Sequence, residues 1–154
     1  MDGRVKPGHD EWDSDTIAPD SELRGDIMSV AQLPAIITVL AVVMVVALGI
    51  RVSMLRGKFK IDPPAMTGNP VLETAIRIHA NTVEAMVVFL PMLWLGAMLY
   101  SEVIAFWLGI AWLIGRMIYA IGFTMSPAKR IPGFAIAILS GLGLLIITLM
   151  GLFM

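Results

Sequence analysis

Residues 33–50 read LPAIITVLAVVMVVALGI and carry no charged side chain. A helix needs about 20 mostly apolar residues to cross a bilayer. This run meets that length once it is extended to about Met54. Three more segments do the same: about Leu72–Leu99, Val103–Phe123 and Gly133–Met154. With no water to satisfy the backbone inside hydrocarbon, such segments must be helices or strands of a closed barrel. Barrel strands alternate in polarity with a period of two, and these segments do not. Across the 154 residues, 58% are hydrophobic and 15% charged, against about 25% charged in a soluble domain. The expected fold is all-α and integral to the membrane. Short connections make consecutive helices antiparallel neighbours, giving a four-transmembrane-helix up-down bundle.

The charges are segregated. Residues 1–27 hold eight of the twelve acidic side chains and three of the eleven basic ones. This segment has almost no apolar periodicity and is expected to be disordered. It has no apolar h-region, so it does not read as a signal peptide. Met28 opens the apolar sequence and reads as a native start, with residues 1–27 an upstream extension; the alternative is an authentic acidic tail. Residues 28–154 form the membrane domain. Arg51, Arg56, Lys58 and Lys60 lie between the first and second spans, and Lys129 and Arg130 between the third and fourth. The positive-inside rule puts these two connections in the cytoplasm and both termini in the periplasm or lumen. A net charge of −1 offers no case for nucleic acid, and the chain has no cysteine.

The second span contains IRIHANTVEAMVVFLP, residues 76–91. An ionisable side chain at membrane depth costs several kcal/mol and marks a functional site by default. Arg77, Asn81 and Glu84 are spaced i, i+4, i+7 and share one helix face. His79 lies about 200° round from Arg77 and points elsewhere, towards a neighbouring subunit. No second His or Cys lies near it, so no metal site is expected. On the third span Arg116 and Tyr119 share a face, with Phe123 one turn on. The blander reading makes Glu84 the neutralising partner of Arg77 or Arg116 in a buried pair that fixes helix packing. The functional reading starts from the cation excess. Guanidinium groups bind carboxylates bidentately, and Glu84 could take an ammonium, so a small zwitterion with carboxylates suits the pocket.

The pattern Arg77-x-His79-x-Asn81-x-x-Glu84 followed by FLP resembles the signature of the MAPEG family, membrane-associated proteins of eicosanoid and glutathione metabolism. Gly115-Arg116-x-x-Tyr119-x-x-Gly122-Phe123, seven residues before Arg130, is a second match. Arg56 ahead of Phe59, Lys60 and Pro63-Pro64 is a third. The resemblance covers about residues 30–154. It implies a homotrimer of four-helix bundles with glutathione as co-substrate at subunit interfaces, beside membrane lipid and open to the cytoplasm of a bacterial inner membrane. Carried over by position, Arg77, Asn81, Glu84 and Tyr119 hold the tripeptide, and Arg56 and His79 reach it from the adjacent subunit. Arg116 lines the pocket or buttresses Glu84. Arg130 matches the arginine that stabilises the glutathione thiolate.

Two family tyrosines are replaced here by Ala85 and Phe123, and an arginine often found beside Arg56 is Gly57. The implied activity is therefore that of a bacterial-type microsomal glutathione transferase or peroxidase. It would act on lipophilic electrophiles or hydroperoxides in detoxification, rather than as a specialised leukotriene synthase. A non-catalytic lipid- or partner-binding protein of the same fold is the alternative. A small transporter or proton relay through Glu84 is a third class, with no ionisable path in the first and fourth spans to support it.

Overall fold

A computed structural model describes residues 20–154, with side chains described from residue 32 onward. Four helices follow in chain order: α1 (Asp20–Phe59), α2 (Pro70–Leu99), α3 (Glu102–Met125) and α4 (Ile131–Phe153). A single 3₁₀ turn, Pro127–Arg130, joins α3 to α4. All four are long and apolar enough to cross a membrane. The expected all-α four-helix architecture is thus found, with no strand among the described residues.

Helix boundaries differ from the expected ones in instructive ways. α1 runs past Met54 to Phe59 and begins at Asp20 rather than near Leu33. Apolar composition marks the part of a helix that lipid covers, whereas hydrogen bonding lets the helix continue into water on either side. Of the expected unstructured segment, residues 1–19 lie outside the described residues, and residues 20–27 belong to α1. α1 stops where Asp62-Pro63-Pro64 denies the helical conformation to the residue before each proline. Lys60 there takes a left-handed backbone, φ 54°.

α2 starts at an Asn-Pro pair. The Asn69 side chain accepts from the backbone N–H groups of Val71 and Leu72, at 2.9 and 3.4 Å. Pro70 occupies the first turn, where its missing N–H costs nothing. Ser101 caps α3 in the same manner, accepting from the Ile104 N–H. Prolines inside α1 and α2, Pro34 and Pro91, leave both helices continuous.

α1 packs on α2 and α3, and α4 packs on α2 and α3, while among the described residues α1 and α4 do not meet. The α2–α3 pair is therefore the centre of the molecule. Its core joins Ile37 and Ala41 from α1, Phe89 and Leu93 from α2, Ala105 and Trp112 from α3, and Ala137 and Leu144 from α4. Phe89 and Trp112 stack face to face, with ring centroids 3.9 Å apart. The outer faces carry Val39, Val43, Val87, Val88, Leu139 and Ile146, all exposed. Such a surface is stable only against lipid or another apolar protein face.

Two glycines bring the turn before α4 onto α3. A Cβ on Gly122 would overlap the Lys129 carbonyl, and one on Gly133 would overlap the Tyr119 backbone. These close approaches hold Arg130 beside the last two turns of α3.

Candidate functional site

Arg116 is 2% exposed and sits on α3 facing α2. Its guanidinium donates through Nη2 to the Thr82 hydroxyl at 2.6 Å and through Nη1 to the Asn81 side-chain oxygen at 3.4 Å. The ring of Tyr119, one turn further along α3, lies 4.3 Å from the guanidinium carbon. A cation held against a ring face is attracted by the ring quadrupole, and more strongly when water is excluded. Tyr119 is itself buried. It packs edge-on against Phe123, centroids 5.7 Å apart, and tilted against Phe134 of α4 at 6.5 Å.

The series continues to the turn. The Arg130 guanidinium carbon lies 4.5 Å from the centroid of the Phe123 ring. Two arginines thus bracket an aromatic pair: Arg116 over Tyr119 at the inner end, Arg130 over Phe123 at the outer end. Arg130 is exposed. It is free to meet a small molecule, and its ring contact sets its direction.

Asn81, Glu84 and Arg116 also form the polar end of a groove of about 580 Å³ between α2, α3 and α4. The rest of that groove is apolar. Ala85, Val88, Phe89 and Met92 line it from α2, Trp112 from α3, and Phe134, Ile138, Gly141, Leu142 and Leu145 from α4. Along α4 this lining runs from Phe134 to Leu145, about 16 Å of helix rise. Such a site can hold a charged, hydrogen-bonding head next to a long apolar body.

Of the three residues expected on one face of α2, Asn81 and Glu84 line the groove and Arg77 does not. Arg77 and Glu84 are exposed and Asn81 is half-buried. The buried neutralising pair weighed from the sequence is not made. Glu84 faces outward, and the partners of Arg116 among the described residues are Asn81 and Thr82. A carboxylate can stay solvated at the groove mouth at far less cost than inside the bundle, and a threonine hydroxyl satisfies the cation without that desolvation.

His79 turns away from the groove. A Cβ on Gly49 of α1 would meet its Nε2 at 3.4 Å, so the imidazole lies against α1 of its own chain. Arg56 also acts within its own chain. It donates to the Ala65 carbonyl at 2.7 Å and to the Ile61 carbonyl at 3.4 Å, and so closes the 60–69 loop. Neither residue lines the groove.

Thr82 and Phe134 complete the site, although the sequence pattern did not single them out. Thr82 is fully buried. It stands one position off the Arg77–Asn81–Glu84 face, which is where a residue must stand to look inward at α3. A hydroxyl amid apolar neighbours was the available signal. Phe134 belongs to the first turn of α4 and becomes visible only when Gly133 brings that turn onto Tyr119.

Among the described residues, no three His, Cys, Asp or Glu side chains converge to hold a metal ion.

The sequence is similar to those of several known proteins. The uncharacterized protein sll1147 of Synechocystis sp. is 42% identical over 113 residues, 73% of this chain and 82% of that one. Microsomal glutathione S-transferase 2 of Homo sapiens is 36% identical over 103 residues, 66% of this chain and 67% of that protein. Leukotriene C4 synthase of Bos taurus is 32% identical over 99 residues, 64% of this chain and 66% of that protein. The family model described as the MAPEG family matches residues 34–150, from the start of the first apolar span almost to the end of the last. The chain is an integral, multi-pass membrane protein, and it belongs to the MAPEG family.

Proposed function

We propose that this protein is a membrane glutathione transferase or glutathione-dependent peroxidase. The observation that carries this reading is the groove of Asn81, Glu84 and Arg116, polar at one end and apolar for the rest of its length. Relatives named microsomal glutathione S-transferase and leukotriene C4 synthase support a glutathione-related function at the membrane. Glutathione is a small zwitterion with two carboxylates and an ammonium. Arg116 and Arg77 suit the carboxylates, Glu84 suits the ammonium, and Asn81 and Tyr119 add neutral contacts.

Arg130 then acts on the thiol. A free thiol ionises near pH 8.5, and only the thiolate is a good nucleophile. A neighbouring guanidinium favours the anion and so raises its population at neutral pH. The thiolate sulfur attacks a lipophilic electrophile seated in the apolar part of the groove. A carbon–sulfur bond forms as the leaving group departs. With a hydroperoxide, the sulfur instead takes the terminal oxygen as the O–O bond breaks. The alkoxide leaves as the alcohol on taking a proton, and a second glutathione converts the glutathione sulfenic acid to disulfide and water.

A homotrimer completes the reading. The exposed apolar faces of α1 and α4 are suited to neighbouring copies. Arg56 and His79 would contact glutathione from the adjacent subunit, with the basic loops on the cytoplasmic side of a bacterial inner membrane. Purified protein should conjugate glutathione to lipophilic electrophiles or reduce lipid hydroperoxides. Glu84→Gln should raise the KM for glutathione by about tenfold, as expected when an ionic hydrogen bond is lost. If lipid co-purifies with the protein and no electrophile or peroxide reacts, the non-catalytic lipid-binding function is the correct one.

A further inference from the structure

The Thr82 hydroxyl makes two hydrogen bonds, and their directions are fixed. Its single proton goes to the Ile78 carbonyl one turn back, at 2.7 Å. It must therefore meet Arg116 Nη2 with a lone pair, as an acceptor, at 2.6 Å. Other threonines return their proton to the helix in the same way: Thr38 to Pro34, Thr74 to Pro70 and Thr148 to Leu144. Of these four, Thr82 is the one whose hydroxyl also receives an arginine. Its contact with Arg116 is much shorter than that of Asn81, 2.6 against 3.4 Å.

The guanidinium has five N–H donors in a rigid plane. One bond at its Nη2 edge and a ring at 4.3 Å against its face fix the orientation of that plane. Nε is buried and makes no hydrogen bond within the described residues. The remaining donors thus belong to a cation that is oriented but not neutralised, at the polar end of the groove. We propose that Thr82 is a positioning residue of the glutathione site: it acts through Arg116, aiming that guanidinium at a carboxylate of the ligand. This rests on the glutathione reading above and adds to it a residue that need not touch ligand.

The proposal separates Thr82 from the thiol chemistry. A residue that orients a carboxylate-binding arginine matters equally for glutathione and for an S-alkylated glutathione that has no thiol. A residue of the thiolate machinery matters only for the former. Valine keeps the shape of threonine but removes the acceptor, and serine keeps the acceptor and loses only the methyl group.

The test is calorimetric binding of glutathione and of S-hexylglutathione to the full-length protein in detergent. Wild type, Thr82→Val and Thr82→Ser are compared, alone and in an Arg116→Gln background. Thr82→Val is expected to raise Kd roughly tenfold or more for both ligands, the usual scale for a lost hydrogen bond to a charged group. Thr82→Ser should stay within about threefold, and Thr82→Val should add nothing once Arg116 is Gln. Wild-type affinity in Thr82→Val, or an undiminished effect in the Arg116→Gln background, overturns the proposal and leaves the glutathione reading standing. Wild-type protein that binds neither ligand overturns both. If Thr82→Val does not fold, Thr82→Cys serves, since a thiol is a weak acceptor; wild-type affinity there, too, overturns the proposal.

Discussion

The guanidinium of Arg130 lies over the ring of Phe123, 4.5 Å from its centroid, so the proposed thiolate-binding cation is aimed by an aromatic side chain on the preceding helix. This contact is worth roughly 0.5–1 kcal/mol at an exposed site. Phe123→Leu should therefore lower kcat by about two- to fivefold with little change in the KM for glutathione. Steady-state kinetics check this. A large rise in KM with kcat unchanged would show that Phe123 contacts the peptide instead.

Gly122 and Gly133 hold the Arg130 turn against α3. Alanine at either position forces a methyl group onto backbone that cannot yield as a side chain can. Overpacking of this sort costs typically 1–3 kcal/mol. Both variants should melt several degrees lower in detergent and lose turnover more than they lose glutathione affinity. Wild-type melting and kinetics in both would mean that the turn has room to shift.

The apolar groove makes its own prediction. A Cβ on Gly141 meets open space, yet Gly141 lines the groove wall. Gly141→Leu fills groove volume without disturbing the core. It should raise the KM for bulky lipophilic second substrates by about tenfold, in line with about 1.4 kcal/mol of lost apolar contact, and leave the glutathione Kd unchanged. Unchanged kinetics with every second substrate would move the lipophile out of this groove.

Arg56 closes the 60–69 loop through two backbone carbonyls. Arg56→Ala should loosen that loop and speed tryptic cleavage at the exposed Lys58 and Lys60, read by gel and mass spectrometry. A cleavage rate equal to that of wild type would place the role of Arg56 entirely outside its own loop.

Much of the architecture was legible in the sequence because lipid imposes a simple rule. Four apolar runs of spanning length become four helices, and the i, i+4, i+7 spacing of Arg77, Asn81 and Glu84 puts them on one face. The pairing of Arg116 was not legible. Spacing alone left Glu84 and a ligand as its partners, whereas packing of α3 on α2 brings it to Thr82. His79 was read as pointing away from Arg77 towards a neighbouring subunit; that it lies against α1 of its own chain depends on Gly49. The start of α1 at Asp20 escaped notice because hydropathy reports the lipid-covered portion of a helix and not its hydrogen-bonded ends.

The most direct measurement is ultraviolet absorbance of the glutathione thiolate after rapid mixing with detergent-purified protein, wild type beside Arg130→Ala. The expected result is a thiolate signal at neutral pH in wild type and its loss in Arg130→Ala, with glutathione Kd within a few-fold and turnover down by a hundredfold or more, the scale of a removed oxyanion-stabilising group. A thiolate of equal amplitude in Arg130→Ala would contradict the role given to Arg130. Glutathione bound by wild type with no thiolate at all would contradict the enzyme.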